Sequence, residues 1–287
     1  MIQKLGPGLL FAGAAIGVSH LVQCTRSGAD FGFGLLWALL IIHLIKYPFF
    51  QYGPRYASAT GESLLEGYQK LGKGILKIYG ILTFFTMFTI QSAVSIVTAG
   101  IATTIFGDLI SVKIWTVVIL SLCFIILNIG KYKLLDVLIK VIVITLTLTT
   151  LAATLIVFCN FNGTIQIAQY VPKGSIEITF LIAFMGWMPA PLDISVWHSI
   201  WSIEKERNSV NKLDSKTTLL DFNIGYIGTI VLGICFVSLG ALTMHATGTS
   251  FSSSAGVFSV QFIEMYTQNI GSWAYLLIGV AALTTMF

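Results

Sequence analysis

Phe184-Met185-Gly186-Trp187-Met188-Pro189-Ala190-Pro191-Leu192-Asp193 sets two prolines and a carboxylate within ten consecutive residues. It lies inside an apolar run, Ile178–Ile200, of the length that crosses a bilayer as a helix, for which roughly 20 apolar residues suffice. Two prolines two residues apart cannot sit in an unbroken helix. Pro189 removes the bond to the carbonyl of Met185, and Pro191 the bond to the carbonyl of Trp187. Hydrocarbon offers those carbonyls no partner, so broken backbone at membrane depth persists only where it is packed in protein or lines a wet cavity. A kink satisfied by neighbouring helices would meet that condition. Asp193 shifts the reading towards function, because a carboxylate inside a membrane is costly unless paired and marks a substrate or ion site by default.

A second weak helix lies upstream. Gly6-Pro7-Gly8 leads into Phe11-Ala12-Gly13-Ala14-Ala15-Ile16-Gly17-Val18-Ser19-His20, which unwinds most easily around Gly17–Ser19. Close packing through Gly13 and Gly17 is the other use of such small residues. Both runs carry Phe-x-Gly, and in both an ionisable residue follows that Phe by nine positions: His20 after Phe11, Asp193 after Phe184. Corresponding interrupted helices in two halves of a chain point to the binding site of an inverted-repeat transporter. The expected organisation is therefore two five-helix repeats, residues 1–160 and residues 161–287, the second incomplete after its third helix.

Composition agrees with a membrane-embedded chain. Of 287 residues, 56% are apolar and 10% charged, and the mean hydropathy is +0.88. Soluble domains carry about 25% charged residues. A soluble enzyme, a nucleic-acid binder and a disordered chain are excluded, and no phosphate loop, hydrolase triad or HExxH zinc motif is present. The cysteines (Cys24, Cys123, Cys159, Cys235) are widely spaced and read as apolar packing residues. The expected architecture is all-α and multi-pass, with about eight spans: Leu9–Val22, Leu35–Phe50, Ile75–Ile105, Ile114–Ile129, Leu134–Phe158, Ile178–Ile200, Leu219–Met244 and Ser272–Phe287.

The basic residues orient it. With a cytoplasmic N-terminus, Lys4, Arg55, Lys70, Lys73, Lys77, Lys131, Lys133, Lys140, Lys205, Arg207, Lys212 and Lys216 fall inside, whereas Arg26, Lys113 and Lys173 fall outside. Lys46, near the inner end of the second span, is expected to snorkel to the interface. Asp221 opens the seventh span, where an acid suits the helix dipole.

Gly6-Pro7-Gly8, Ser27-Gly28-Ala29-Asp30-Phe31-Gly32-Phe33 and Leu35-Leu36-Trp37, with Arg55, Thr60-Gly61, Leu64-Leu65-Glu66, Met188-Pro189 and His198-Ser199, resemble the Nramp family of divalent-metal transporters. The resemblance implies a LeuT-type fold with the site between broken helices 1 and 6. It lays the family's Asp-Pro-Gly-Asn metal motif on Gly17-Val18-Ser19-His20, its ligating methionine on Met188 and its carbonyl ligand on Met185. Ala190-Pro191 replaces the family's His-Asn, and the longer spacing to His198 allows a register shift that brings in Asp193. The implied site is therefore Gly17, Ser19, His20, Met185, Met188 and Asp193. The third span has no acid where typical members carry proton-pathway residues, which leaves His20, His43, His198 and Gln91 as candidates for a proton or polar relay.

The resulting expectation is a secondary transporter of a divalent cation of the manganese, iron or magnesium class. A coupling proton, the lipid bilayer of the plasma membrane, no nucleic acid and no cofactor complete it. A transporter of an organic solute such as an amino acid, and a transport-inactive scaffold, are the alternatives.

Overall fold

Pro7 suits the first turn of a helix, where its missing N–H is no loss, and there the first helix, α1 (Pro7–Ala15), begins. It continues through π-helical turns over Ile16–Cys24 into α2 (Thr25–Phe31). The structure, a computed structural model, describes residues 6–107, 110–207 and 214–286. Lys4, Lys212 and Phe287 lie outside the described residues, as do the side chains of Lys131 and Lys133.

The remaining elements are α3 (Leu36–Thr60), α4 (Leu64–Leu71), α5 (Lys73–Phe106), α6 (Val112–Asn160), α7 (Ser175–Trp187), α8 (Asp193–Arg207), α9 (Ser215–Leu239), α10 (Ala255–Ile270) and α11 (Ala274–Met286). No strand occurs among the described residues. Local chemistry sets several ends. α3 stops at Gly61, whose φ of 72° favours glycine. Ser63 and Glu66 form a reciprocal capping box that starts α4.

The expected fourth and fifth spans fall within one helical element, α6, whose apolar stretches are Val112–Ile129 and Asp136–Asn160. Separate helices were expected there. The connecting Gly130-Lys131-Tyr132-Lys133 holds no proline, and a lone glycine is a weak breaker. By length and composition Pro7–Phe31, Lys73–Phe106 and Ser215–Thr247 also suffice to cross a membrane, and Ser175–Trp187 and Ala274–Met286 are shorter apolar helices. Large apolar side chains such as Ile78, Leu82, Phe85 and Phe88 on α5 are exposed, as a lipid-facing surface requires.

The core gathers around the first span. α1 and α2 pack on α9, and two glycine crossings set how closely. A Cβ on Gly8 would strike the carbonyl of Asp221, and one on Gly225 would strike the carbonyl of Gly8. Further along, a Cβ on Gly28 would strike the Val237 carbonyl, and one on Gly240 the Thr25 carbonyl. Both pairs rise together in number, so the first span and α9 run parallel.

Candidate functional site

The sixth span is interrupted where the prolines stand. α7 ends at Trp187, Met188 is extended (φ −81°, ψ 139°), and helix resumes at Asp193. The carbonyls near this break have a partner the sequence did not suggest. Lys46 of α3 donates from its Nζ to the carbonyl oxygens of Met185 at 3.0 Å, Gly186 at 2.8 Å and Met188 at 2.7 Å. The expectation that Lys46 snorkels to the interface is therefore corrected: three converging carbonyls hold it at the break.

The first span is interrupted at Gly17, whose backbone (φ −52°, ψ −128°) is not helical. A Cβ there would meet only the Met286 sulfur, at 3.7 Å, whereas one on Gly13 would press on Ile139 of α6. Of the two uses open to these glycines, Gly13 serves packing and Gly17 serves the break. The polar groups that follow close on themselves. The Ser19 hydroxyl reaches the Ala15 carbonyl and lies 2.8 Å from His20 Nδ1. His20 Nδ1 is also 2.9 Å from the Ala15 oxygen, and His20 Nε2 is 2.9 Å from the Thr229 carbonyl of α9. Both ring nitrogens of this fully buried histidine are thus engaged with protein. It ties the break in the first span to α9, and neither nitrogen is free to face a substrate.

The two interruptions are neighbours. α7 packs on the π-helical segment and α8 packs on α1. At the junction the Cys24 thiol lies 3.5 Å from the Met188 thioether, and both residues are fully buried. Cys24 is buried and packed, as expected of an apolar cysteine, and sets a second sulfur beside that of Met188.

The other expected residues lie apart. Asp193 opens α8, where the helix dipole favours its charge, and turns towards α5. Thr83 Oγ1 donates to it at 3.2 Å and Thr86 Oγ1 at 3.4 Å. It does not meet His20. His43 Nδ1 is bonded to the Leu39 carbonyl of its own helix at 2.7 Å, and its ring centre is 6.4 Å from that of His20. His198 is fully buried against Phe11 and Phe222, with no hydrogen-bond partner on either nitrogen among the described residues. Gln91 donates to Ser95 one turn along α5, at 3.0 Å.

Lys46, Cys24 and Met286 escaped the sequence reading of the site. Lys46 left a signal: Leu44-Ile45 precede it and Tyr47-Pro48-Phe49-Phe50 follow, so it does not sit at the end of its apolar run. Cys24 and Met286 left none, since their neighbours are distant in the chain.

Over residues 8–286 the chain matches the family described as Nramp, Natural resistance-associated macrophage protein-like. It is 39% identical, over 288 residues, to an uncharacterized protein of Pasteurella multocida (strain Pm70), covering 99% of this chain and 66% of that protein. Its fold is similar to that of the manganese transporter of Eremococcus coleocola. Against a mutant of that transporter the TM-score is 0.71 at 15% identity, covering 98% of this chain and 61% of the other. Against its complex with an aromatic bis-isothiourea substituted compound the TM-score is 0.71 at 13% identity, covering 99% and 62%. The chain thus spans less than two thirds of the length of each of these relatives.

Proposed function

The chain belongs to the Nramp family of membrane transporters, and from that premise we propose that it carries a divalent cation across a membrane at a site between the interruptions of its first and sixth spans. One observation supports this most: the break in the sixth span gathers the carbonyls of Met185, Gly186 and Met188 around a positive charge, beside the sulfurs of Met188 and Cys24. Carbonyl oxygens alone suit a hard cation such as magnesium. Oxygen ligands also suit manganese, and sulfur donors move the preference away from magnesium towards softer transition metals such as iron. The solved transporter of Eremococcus coleocola, named for manganese, supports the same class. The distribution of basic residues favours a cytoplasmic N-terminus. A coupling proton would find in His20 and His43 two histidine rings with centres 6.4 Å apart.

Uptake into proteoliposomes by the full-length protein tests this. Saturable uptake of Mn²⁺ or Fe²⁺ in preference to Mg²⁺ is expected. Uptake of an amino acid with no uptake of any divalent cation would overturn it in favour of an organic solute.

Asp193 has a separate expected effect. Its carboxylate stands at the head of α8, five residues beyond Met188, and draws cations towards the break. Asp193→Asn retains the shape and one acceptor oxygen for one threonine hydroxyl, and its amide N–H can donate to the other. Mn²⁺ uptake should fall at least about tenfold, in line with about 1.5–3 kcal/mol for an interaction with a charged group, while the melting temperature stays unchanged. Undiminished uptake would remove Asp193 from the cation path.

A further inference from the structure

An ammonium has three N–H donors, and Lys46 spends all three on carbonyls of the broken sixth span, at 2.7–3.0 Å. Three oxygens that converge on one positive centre form a cage for a cation. Among the described residues no carboxylate pairs with Lys46; the ion pairs found are Lys70 with Glu62, Lys140 with Asp136 and Arg207 with Glu204. The carbonyls are therefore the counter-dipoles that hold this charge. We propose that Lys46 is a tethered cation occupying the carbonyl cage of the sixth-span break, and that a transported cation must take the cage from it.

Two consequences follow from chemistry. With its donors saturated, Lys46 has no hydrogen bond left for a substrate carboxylate, so it does not act as an anion anchor in this state. A metal ion bonded to these oxygens would need them at about 2.0–2.6 Å, in the space the ammonium fills, and the two positive centres exclude each other. The side chain keeps the freed carbonyls of Met185 and its neighbours satisfied when no substrate is bound, as hydrocarbon cannot. The exchange with a metal rests on the reading of the protein as a divalent-cation transporter; the occupied cage does not.

The test has two arms, both on the purified full-length protein. In the first, Lys46→Ala removes the tether and leaves a cavity that n-propylammonium can fill. Propylammonium chloride should raise the melting temperature of Lys46→Ala by a few degrees and leave wild type unmoved, whereas tetramethylammonium, which has no N–H, should move neither protein. No rescue, or equal effects of the two ions, would overturn the cage. In the second arm, Lys46→Leu keeps apolar contacts of the stem, removes the charge and adds no metal donor. Its Mn²⁺ dissociation constant, measured by titration calorimetry, should drop at least about tenfold, which is about 1.4 kcal/mol. An unchanged or weaker Mn²⁺ affinity in Lys46→Leu, with measurable binding by wild type, would overturn the competition. Rescue by propylammonium with no Mn²⁺ binding by either protein would leave the ammonium cage standing and remove the divalent-metal reading instead.

Discussion

Asp221→Ala should destabilise the folded protein by about 3–6 kcal/mol, because it removes two hydrogen bonds to a charged group, each worth about 1.5–3 kcal/mol. The Asp221 carboxylate accepts from the backbone N–H of Gly6 at 3.1 Å and of Gly8 at 2.8 Å. Pro7 between them has no N–H to offer. Asp221 thus caps the start of α1 from α9, and it is 4% exposed, so water cannot replace it. The expectation that it opens its own helix and serves that dipole is corrected: α9 starts at Ser215 with no acid in its first turn, and Asp221 holds the start of α1 instead. Asp221→Asn retains one acceptor oxygen and should lose about half as much. Thermal melts in detergent, followed by size-exclusion chromatography, would show both. An alanine variant that melts with wild type would mean that α1 is held elsewhere.

A comparable loss is expected from Gly240→Val, about 3 kcal/mol or more, since overpacking a close contact forces backbone as well as side chains to move. The atoms in the way are the Thr25 carbonyl oxygen and the Ala29 nitrogen, which cannot rotate aside. Small residues are what let membrane helices approach this closely. Gly28→Val should do the same through the Val237 carbonyl, and the two together should not compensate, because each enlarges the same crossing. Gly228→Ala is the control. It lies on the same helix, α9, with nothing within 4 Å of its new Cβ, and alanine is the better helix former by about 1 kcal/mol. It should melt no lower than wild type. Equal losses in Gly228→Ala and Gly240→Val would show that α9 tolerates no substitution at all, and the crossing would not be the cause.

Much of the fold was legible because its causes are local. Two prolines two residues apart remove two bonds of one turn, so Pro189 and Pro191 interrupt the sixth span and helix stops at Trp187, whereas Pro48 and Pro54, six residues apart, stand inside α3. Gly17 interrupts the first span within the run that looked easiest to unwind. Long apolar runs became long apolar helices, since in lipid the backbone must satisfy itself. The motifs around Gly6-Pro7-Gly8 and Ser27-Gly28-Ala29 pointed to the family that residues 8–286 match.

What the sequence could not show is which group meets which across the bundle. His20 and Asp193 share an offset in their two runs, yet one turns to Thr229 on α9 and the other to Thr83 on α5. A side chain's direction rotates by about 100° per residue along a helix, and interrupting the helix resets that rotation by an amount no local rule supplies. The carbonyls freed by Pro189 plainly needed a donor, but that it is Lys46, about 140 residues earlier, was decided by how α3 packs beside the break. The same holds for Asp221 with Gly6 and Gly8, and for Cys24 with Met188. Local backbone chemistry determined where this chain breaks, and only helix packing decided what fills the breaks.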